Sequence, residues 1–313
     1  MSRVFSFLIF FLTLNIFAEG YGEDFWKKNE KDQPYFVQPS FDFRYAERNA
    51  FNDVSTVRAK INVDWGIYTL VSLPKSFLDW NIGVRKDSIE KMMKGNPPSG
   101  FSAHDPSIAT YGYKRLDSDF ELDNAIKGIG YLPKLDRIDD LITLLKDNKT
   151  KDVSTRLKTL LQIYNQYEYY FDTSKIISLE LYATPERGTQ TFLNQYTTPL
   201  SVIVFASEKP TFKIKAIAQL ISPHDPNLLD YQKKVLEYTN LVHDFFHDSD
   251  KDVPPKIVVI YYVLEVYNTT PDSSDGEGKR IDKNVYGLIL KDKKEKTISS
   301  RPLELSSIPF FLL

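Results

Sequence analysis

The sequence predicts an α+β fold: an antiparallel sheet built mainly from the C-terminal half, packed with an αα-hairpin and one further long helix. Three observations carry that expectation. Apolar residues recur at three and four positions across 134–171, the helical period, but at every second position across 211–221, the strand period. Helical and strand patterns therefore fall in separate blocks, not in the strict alternation of a doubly wound sheet. Candidate strands 200–206 and 211–221 are joined by Ser207-Glu208-Lys209-Pro210, short enough for a hairpin and hence for antiparallel pairing.

The elements follow in chain order. Arg3, the apolar run Val4–Phe17 and the small residues of Ala18-Glu19-Gly20 read as a secretory signal peptide over residues 1–20. The run is too short, and too interrupted by Ser6, Thr13 and Asn15, for a span that needs roughly 20 apolar residues. Residues 21–55 scatter Trp26, Tyr35, Phe36, Phe41, Phe43 and Tyr45 among charges, Gln and Pro, with neither period sustained. They read as an extended arm that lays its aromatics either on its own domain or on a partner. Residues 56–313 read as a single α+β domain, with a subdivision near 134–175 as the alternative.

Within that domain, Val57, Ala59, Ile61, Val63, Trp65 and Ile67 lie two apart, which predicts one half-buried strand, long or bent at Gly66. Residues 74–133 read as irregular, broken at Pro97-Pro98-Ser99-Gly100, with a short helix near 87–94. Leu135, Ile138, Leu141, Ile142 and Leu145 predict one helix. Val153, Leu157, Leu160, Leu161, Tyr164 and Tyr167 predict a second, capped by Ser154. Strands are expected at 176–183, 200–206, 211–221, 256–267 and 285–290, a helix at 227–247, and a flexible acidic loop at 271–282. The chain ends on Ile308-Pro309-Phe310-Phe311-Leu312-Leu313, an apolar tail that needs cover from its own groove or from another subunit.

Composition excludes several functions. Lys+Arg 40 against Asp+Glu 42 leaves a net charge of −2, which excludes a nucleic-acid binder acting through net charge. Cleavage after residue 20 removes one Arg and one Glu, so the balance is unchanged. The 0 Cys exclude a disulfide framework, a thiolate metal site and a Cys nucleophile, and suit a bacterial periplasm better than a disulfide-using extracellular space. No stretch of the mature chain is long and apolar enough to span a bilayer as a helix.

The sharpest chemical candidate is His243-Asp244-Phe245-Phe246-His247. Two His four apart share a helix face and can bind one metal, zinc by ligand type. On a helical wheel centred on Leu228, Val235, Val242 and Phe246, both lie on the flank of the apolar stripe, where structural His also sit. Asp248, Asp250 and Asp252 suggest calcium, but Val253 and Val259 stand where an EF-hand loop needs Gly and Glu. His104-Asp105-Pro106 and His224-Asp225-Pro226 read as turns. Ser102 beside His104 lacks a nucleophile elbow. Gly128-Ile129-Gly130 and Gly276-Glu277-Gly278-Lys279 fall short of phosphate loops. Tyr167, Tyr169, Tyr170, Tyr261 and Tyr262 could line a sugar or peptide groove or pack the core.

These readings favour an exported, non-enzymatic protein that assembles with other envelope proteins or with itself, coating or bracing a periplasmic filament or envelope complex. Trp26, Tyr35, Phe36, Phe41, Phe310, Phe311, Leu312 and Leu313 are its candidate partner-binding residues. No cofactor is expected on this reading. The alternatives are a periplasmic metal-dependent hydrolase using His243 and His247, and a glycan or small-ligand binder.

Overall fold

The computed structural model describes residues 23–45, 56–96, 103–207, 209–247, 254–271 and 278–282. Residues 1–20, Ser102, Asp248, Asp250, Asp252, the strand expected at 285–290 and the tail Phe310, Phe311, Leu312 and Leu313 lie outside them. The fold is α+β with a large antiparallel sheet, as the separated periodicities predict.

The sheet grows around a long central strand. Strand β11 (Ile257–Asn268) has its first ten residues buried, because it is paired on both sides and covered on both faces. Strand β10 (Phe212–Ile221) pairs along most of its length, with a bulge between Lys215 and Ala216, and strand β9 (Leu200–Phe205) continues from it as the expected hairpin. On the other side, β11 pairs with β8 (Phe171–Glu180). Fully burying each of the Val, Ile and Leu side chains here contributes about 1.5–3 kcal/mol before entropy is counted.

The stretch 74–133 is far more ordered than its sequence suggests. It holds the 19-residue helix α1 (Lys75–Met93) and strands β5 (Ser107–Tyr111), β6 (Leu122–Ile126) and β7 (Ile129–Pro133). The path through the sheet runs β6-β5-β9-β10-β11-β8-β7. Its two ends are consecutive in the chain, separated only by Lys127-Gly128. Lys127 N donates to Pro106 O at 3.2 Å and Ile129 N to His104 O at 2.8 Å, while Ile129 pairs with Ser178 of β8. The sheet therefore closes on itself through one continuous β6–β7 strand.

The helical hairpin forms where periodicity places it, as α2 (Ile138–Lys149) and α3 (Val153–Asn165). Leu141, Leu145, Leu157, Leu160 and Ile163 bury its inner faces. Its cap is Asp152, not Ser154: the Asp152 carboxylate accepts from Thr155 N at 3.0 Å, because the helix starts one residue before Ser154. A four-residue turn, α4 (Tyr167–Tyr170), leads into β8. Helix α5 (Gln190–Thr197) packs against β5, β6 and β10, and helix α6 (Asp230–His247) lies between α2 and strands β8 and β11.

Two further expectations change. The alternation across 56–67 is a hairpin, β3 (Thr56–Ile61) and β4 (Asp64–Thr69), turned at Asn62-Val63 with Asn62 at φ 57°. Val63, expected on the buried face, is 77% exposed at the tip. In the region expected as a flexible acidic loop, residues 278–282 include the short strand β12 (Lys279–Arg280) on β11. Arg280 donates to Asp282 at 2.7 Å and pairs with the buried Glu265 at 3.3 Å, which fixes that segment to the sheet.

The described part of the arm lies on the chain's own domain. Phe36 and Phe41 are 1% and 4% exposed, and Phe41 stacks on Tyr262. Gln38 donates to Gln195 O and Ala218 O and accepts from Leu220 N, which stitches the arm to α5 and β10.

Candidate functional site

The site begins with an anomaly on α1. Phe77, Leu78, Asn81, Ile82, Arg85 and Ile89 are buried at helical spacing, and two of them are polar. Arg85 is 8% exposed. Its Nε donates to Asn81 Oδ1 at 2.8 Å, and its Nη2 to Ala103 O and Ile129 O, both at 2.7 Å. Its Nη1 faces His104 Nδ1 at 3.2 Å and donates to Tyr164 OH at 3.3 Å. Asn81 is itself fixed by Ala103 O and Tyr131 OH, both at 2.8 Å. Burial pushes the Tyr131 phenol up, so it stays a neutral donor. The guanidinium lies over the Tyr131 ring at 5.4 Å. Among the described residues no carboxylate comes within ion-pairing distance of it. A buried cation held by neutral acceptors is costly, and its cost falls on the element that organises this region.

What Arg85 organises is one wall of a cavity of about 350 Å³ between α1, α3, α6 and the β7–β8 end of the sheet. The walls are mainly apolar: Ile89, Met92, Leu160, Ile177, Val242 and Phe246. One pole is polar, where Arg85, His104, Tyr164 and Asp105 stand together, and Ser88, Ser178, Thr239 and His243 also line the space. Because guanidinium only donates, the Arg85 contact requires the lone pair on His104 Nδ1 and leaves the ring proton on Nε2. That nitrogen lies 3.9 Å from Asp105 Oδ1, too far for a hydrogen bond. Burial holds the Asp105 carboxyl above its usual range, and the nearby Arg85 charge only partly offsets this. Gly128 leaves room beside the pair, since a Cβ there would stand 3.1 Å from His104 Nε2 and 3.8 Å from Asp105 Oδ1.

The fold thus gathers sequence features that lie far apart: His104-Asp105, Gly128, Gly130 and His243 meet at one cavity. The other His-Asp-Pro copy remains a turn, with Asn227 N donating to Asp225 Oδ1 at 2.9 Å. His243 lines the cavity and its Nδ1 lies 3.4 Å from Asp244, whose other oxygen accepts from Lys149 at 3.2 Å. His247 is on the last turn of the same helix. Among the described residues no group of three or more His, Asp or Glu comes together to hold a metal.

The wheel centre expected for α6 is displaced. Phe245 is the buried aromatic, at 1% exposed, and Phe246 is 40% exposed at the cavity, with its ring 6.3 Å from that of His104. The reason is that α6 packs on α2 as well as on the sheet, which shifts the buried stripe toward Tyr238 and Phe245. Tyr261 and Tyr262 belong to the core, 0% and 3% exposed, bonded to Gln195 and Gln219, so they line no open groove. Tyr167 and Tyr170 are partly exposed, and Tyr169 is 47% exposed under the Arg137 guanidinium at 4.4 Å. Of the candidate partner-binding residues, Phe36 and Phe41 are in the core, Trp26 packs edge-on to Phe36, and Tyr35 is half-buried in strand β2 (Pro34–Tyr35), which pairs with β1 (Lys27–Lys28).

Arg85, Asn81 and Asp105 were not singled out as site residues from sequence. The available signal was a polar pair four apart within an otherwise apolar helical spacing, 78, 82, 85 and 89.

Comparison with known proteins adds little. No family model matches the chain, and no curated protein matches it. Among solved structures, a protein described as a pyridoxamine 5'-phosphate oxidase, from Listeria innocua, is similar over 59% of this chain and 97% of its own, at 10% identity and a TM-score of 0.28. A likeness of that size assigns neither fold nor function.

Proposed function

We propose that this protein binds a small, largely apolar molecule in the cavity beside Arg85. The observation that supports this reading is the preformed cavity of about 350 Å³, apolar around its walls and polar at one pole. Pockets for small ligands have this composition and start at about 300 Å³. The polar pole is positioned before any ligand arrives, because the Arg85 hydrogen bonds fix Asn81, His104 and Tyr164 together. Titration of the purified protein with the neutral fluorophore N-phenyl-1-naphthylamine tests it. Saturable binding is expected, weakened at least about tenfold by Val242→Trp, which fills the cavity without touching the pole. Unsaturable binding in the wild type, or identical binding in a folded Val242→Trp variant, overturns the proposal.

A second reading, assembly, is favoured by a different observation. Strand β6 exposes Leu122 (73%) and Ile126 (67%), with Phe120 (74%) before it. Lys127 N and Glu121 O bond toward β5, so the N–H and C=O groups of 122, 124 and 126 point away from it. Among the described residues no strand pairs with that edge. A second copy, related by a two-fold axis at Asn124, would place Leu122 opposite Ile126 in both directions and satisfy both edges. We propose this self-pairing as the route to assembly. Export is proposed on residues 1–20, and the periplasm as its destination on the 0 Cys. Among the described residues no helix is long and apolar enough to cross a membrane. Light scattering after gel filtration is expected to show a dimer that Leu122→Lys with Ile126→Lys converts to monomer. A monomeric wild type at high concentration overturns it.

A further inference from the structure

Resting on the cavity reading above, we infer that the ligand is an uncharged apolar alcohol whose hydroxyl donates a hydrogen bond to the Asp105 carboxylate. Four observations lead there. Asp105 lines the cavity with its side chain 29% exposed, yet among the described residues no donor reaches it within hydrogen-bonding distance. His104 Nε2 stands 3.9 Å away, beyond hydrogen-bonding distance, while Arg85 donates to Nδ1 of the same ring. A ligand hydroxyl that reaches this carboxylate supplies, in place of solvent, the donor that no described residue gives it.

The second observation concerns charge. The pole holds one carboxylate and one guanidinium, and they act on one another. The five Arg85 contacts use every N–H of the guanidinium, so an incoming acid finds no donor on it and meets Asp105 as a like charge. An incoming ammonium pairs with Asp105 but is repelled by the fixed Arg85 charge. A neutral donor meets neither penalty.

The third is room. Gly128 keeps the space beside Asp105 open, where any Cβ would stand 3.8 Å from Oδ1 and 3.1 Å from the His104 ring. A single oxygen about 2.8 Å from the carboxylate fits such a gap. The fourth is the wall. Beyond the pole the wall is mainly Ile89, Met92, Leu160, Ile177 and Val242, with Ser88, Ser178, Thr239 and His243 among them and no carboxylate or guanidinium, so the remainder of the molecule is mostly hydrocarbon.

Four probes of equal chain length separate the outcomes: 1-decanol, decyl methyl ether, decanoate and decylammonium, each displacing N-phenyl-1-naphthylamine from the full-length mature protein. The expected order places 1-decanol tightest, about tenfold or more above its methyl ether, which keeps the oxygen but has no proton to give. In Asp105→Ala the alcohol-to-ether ratio falls to about one. Equal binding of alcohol and ether to the wild type overturns the inference and leaves the cavity reading intact. Tightest binding of decylammonium also overturns it, in favour of a charge-paired head. Displacement by none of the four overturns both. The comparison within the wild type decides the matter even if Asp105→Ala fails to fold.

Discussion

Arg85 carries the heaviest consequences of any single side chain. It is buried, charged and bonded to five acceptors, two of them backbone carbonyls that flank the cavity, Ala103 O and Ile129 O. Arg85→Leu preserves much of the volume but removes one donor each from Asn81 Oδ1, Ala103 O, Ile129 O and His104 Nδ1, while Tyr131 OH and Asn81 Nδ2 still donate to Asn81 Oδ1 and Ala103 O. The expected loss is about 1–3 kcal/mol in urea unfolding, the range for buried polar groups that lose a hydrogen-bond donor. Arg85→Lys, with three donors in place of five, recovers part of it. A Leu variant as stable as the wild type would show that the network is not formed in solution. At this scale the sequence was only partly legible. His243 and His104 stand out by rarity, among 4 His in the chain. Their shared destination does not, because it depends on a helix, a turn and two strands that meet only in the folded chain.

At the level of elements, amphipathic helices and alternating strands with one buried face were read well. Helices α2, α3 and α6 and strands β9, β10 and β11 all lie within a few residues of where periodicity places them. Helix α1 was underestimated for a physical reason: Asn81 and Arg85 interrupt its apolar stripe, yet the cavity wall keeps those positions buried. Strands β5, β6 and β7 were missed because they are short and divided by loops. In β6 the exposed positions are apolar, Leu122 and Ile126, the reverse of the usual pattern. The β3–β4 hairpin was read as one strand because the two-residue turn preserves the odd-numbered alternation. Its turn depends on Asn62 in the left-handed region, φ 57°. Asn62→Ala is therefore expected to cost about 1 kcal/mol, and Asn62→Gly to be close to neutral, in thermal unfolding. An Ala variant with an unchanged midpoint would mean the turn relaxes to another conformation at no cost.

For the molecule as a whole, the aromatic content becomes a statement about pH. Burial raises the Tyr68 phenol from its ordinary 10.0 to about 12, and raises Tyr131, Tyr238, Tyr261 and Tyr262 as well. Each of these holds its proton in the fold and releases it near pH 10 when unfolded. The folded state therefore binds more protons than the unfolded state above that pH. Stability is complete below about pH 10 and falls as pH rises through the Tyr68 value of about 12. Phenolate absorbance at 295 nm is expected to rise in two steps, exposed tyrosines first and the buried set together with loss of far-UV ellipticity. A single smooth titration near pH 10 with the ellipticity intact would contradict the burial of these rings.

The sequence by itself determined the class of this protein: the α+β separation, the helical hairpin, the central buried strand and a Cys-free, nearly neutral chain. Those follow from local period and composition, which each segment carries whatever its neighbours do. Tertiary structure alone decided that β6 and β7 are one strand closing the sheet, that the arm's Phe36 and Phe41 lie in the core, and that His104, Asp105 and His243 share a cavity with Arg85. Each of those depends on long-range pairing, and a contact between residues 85 and 129 or 38 and 218 leaves no periodic trace in either segment.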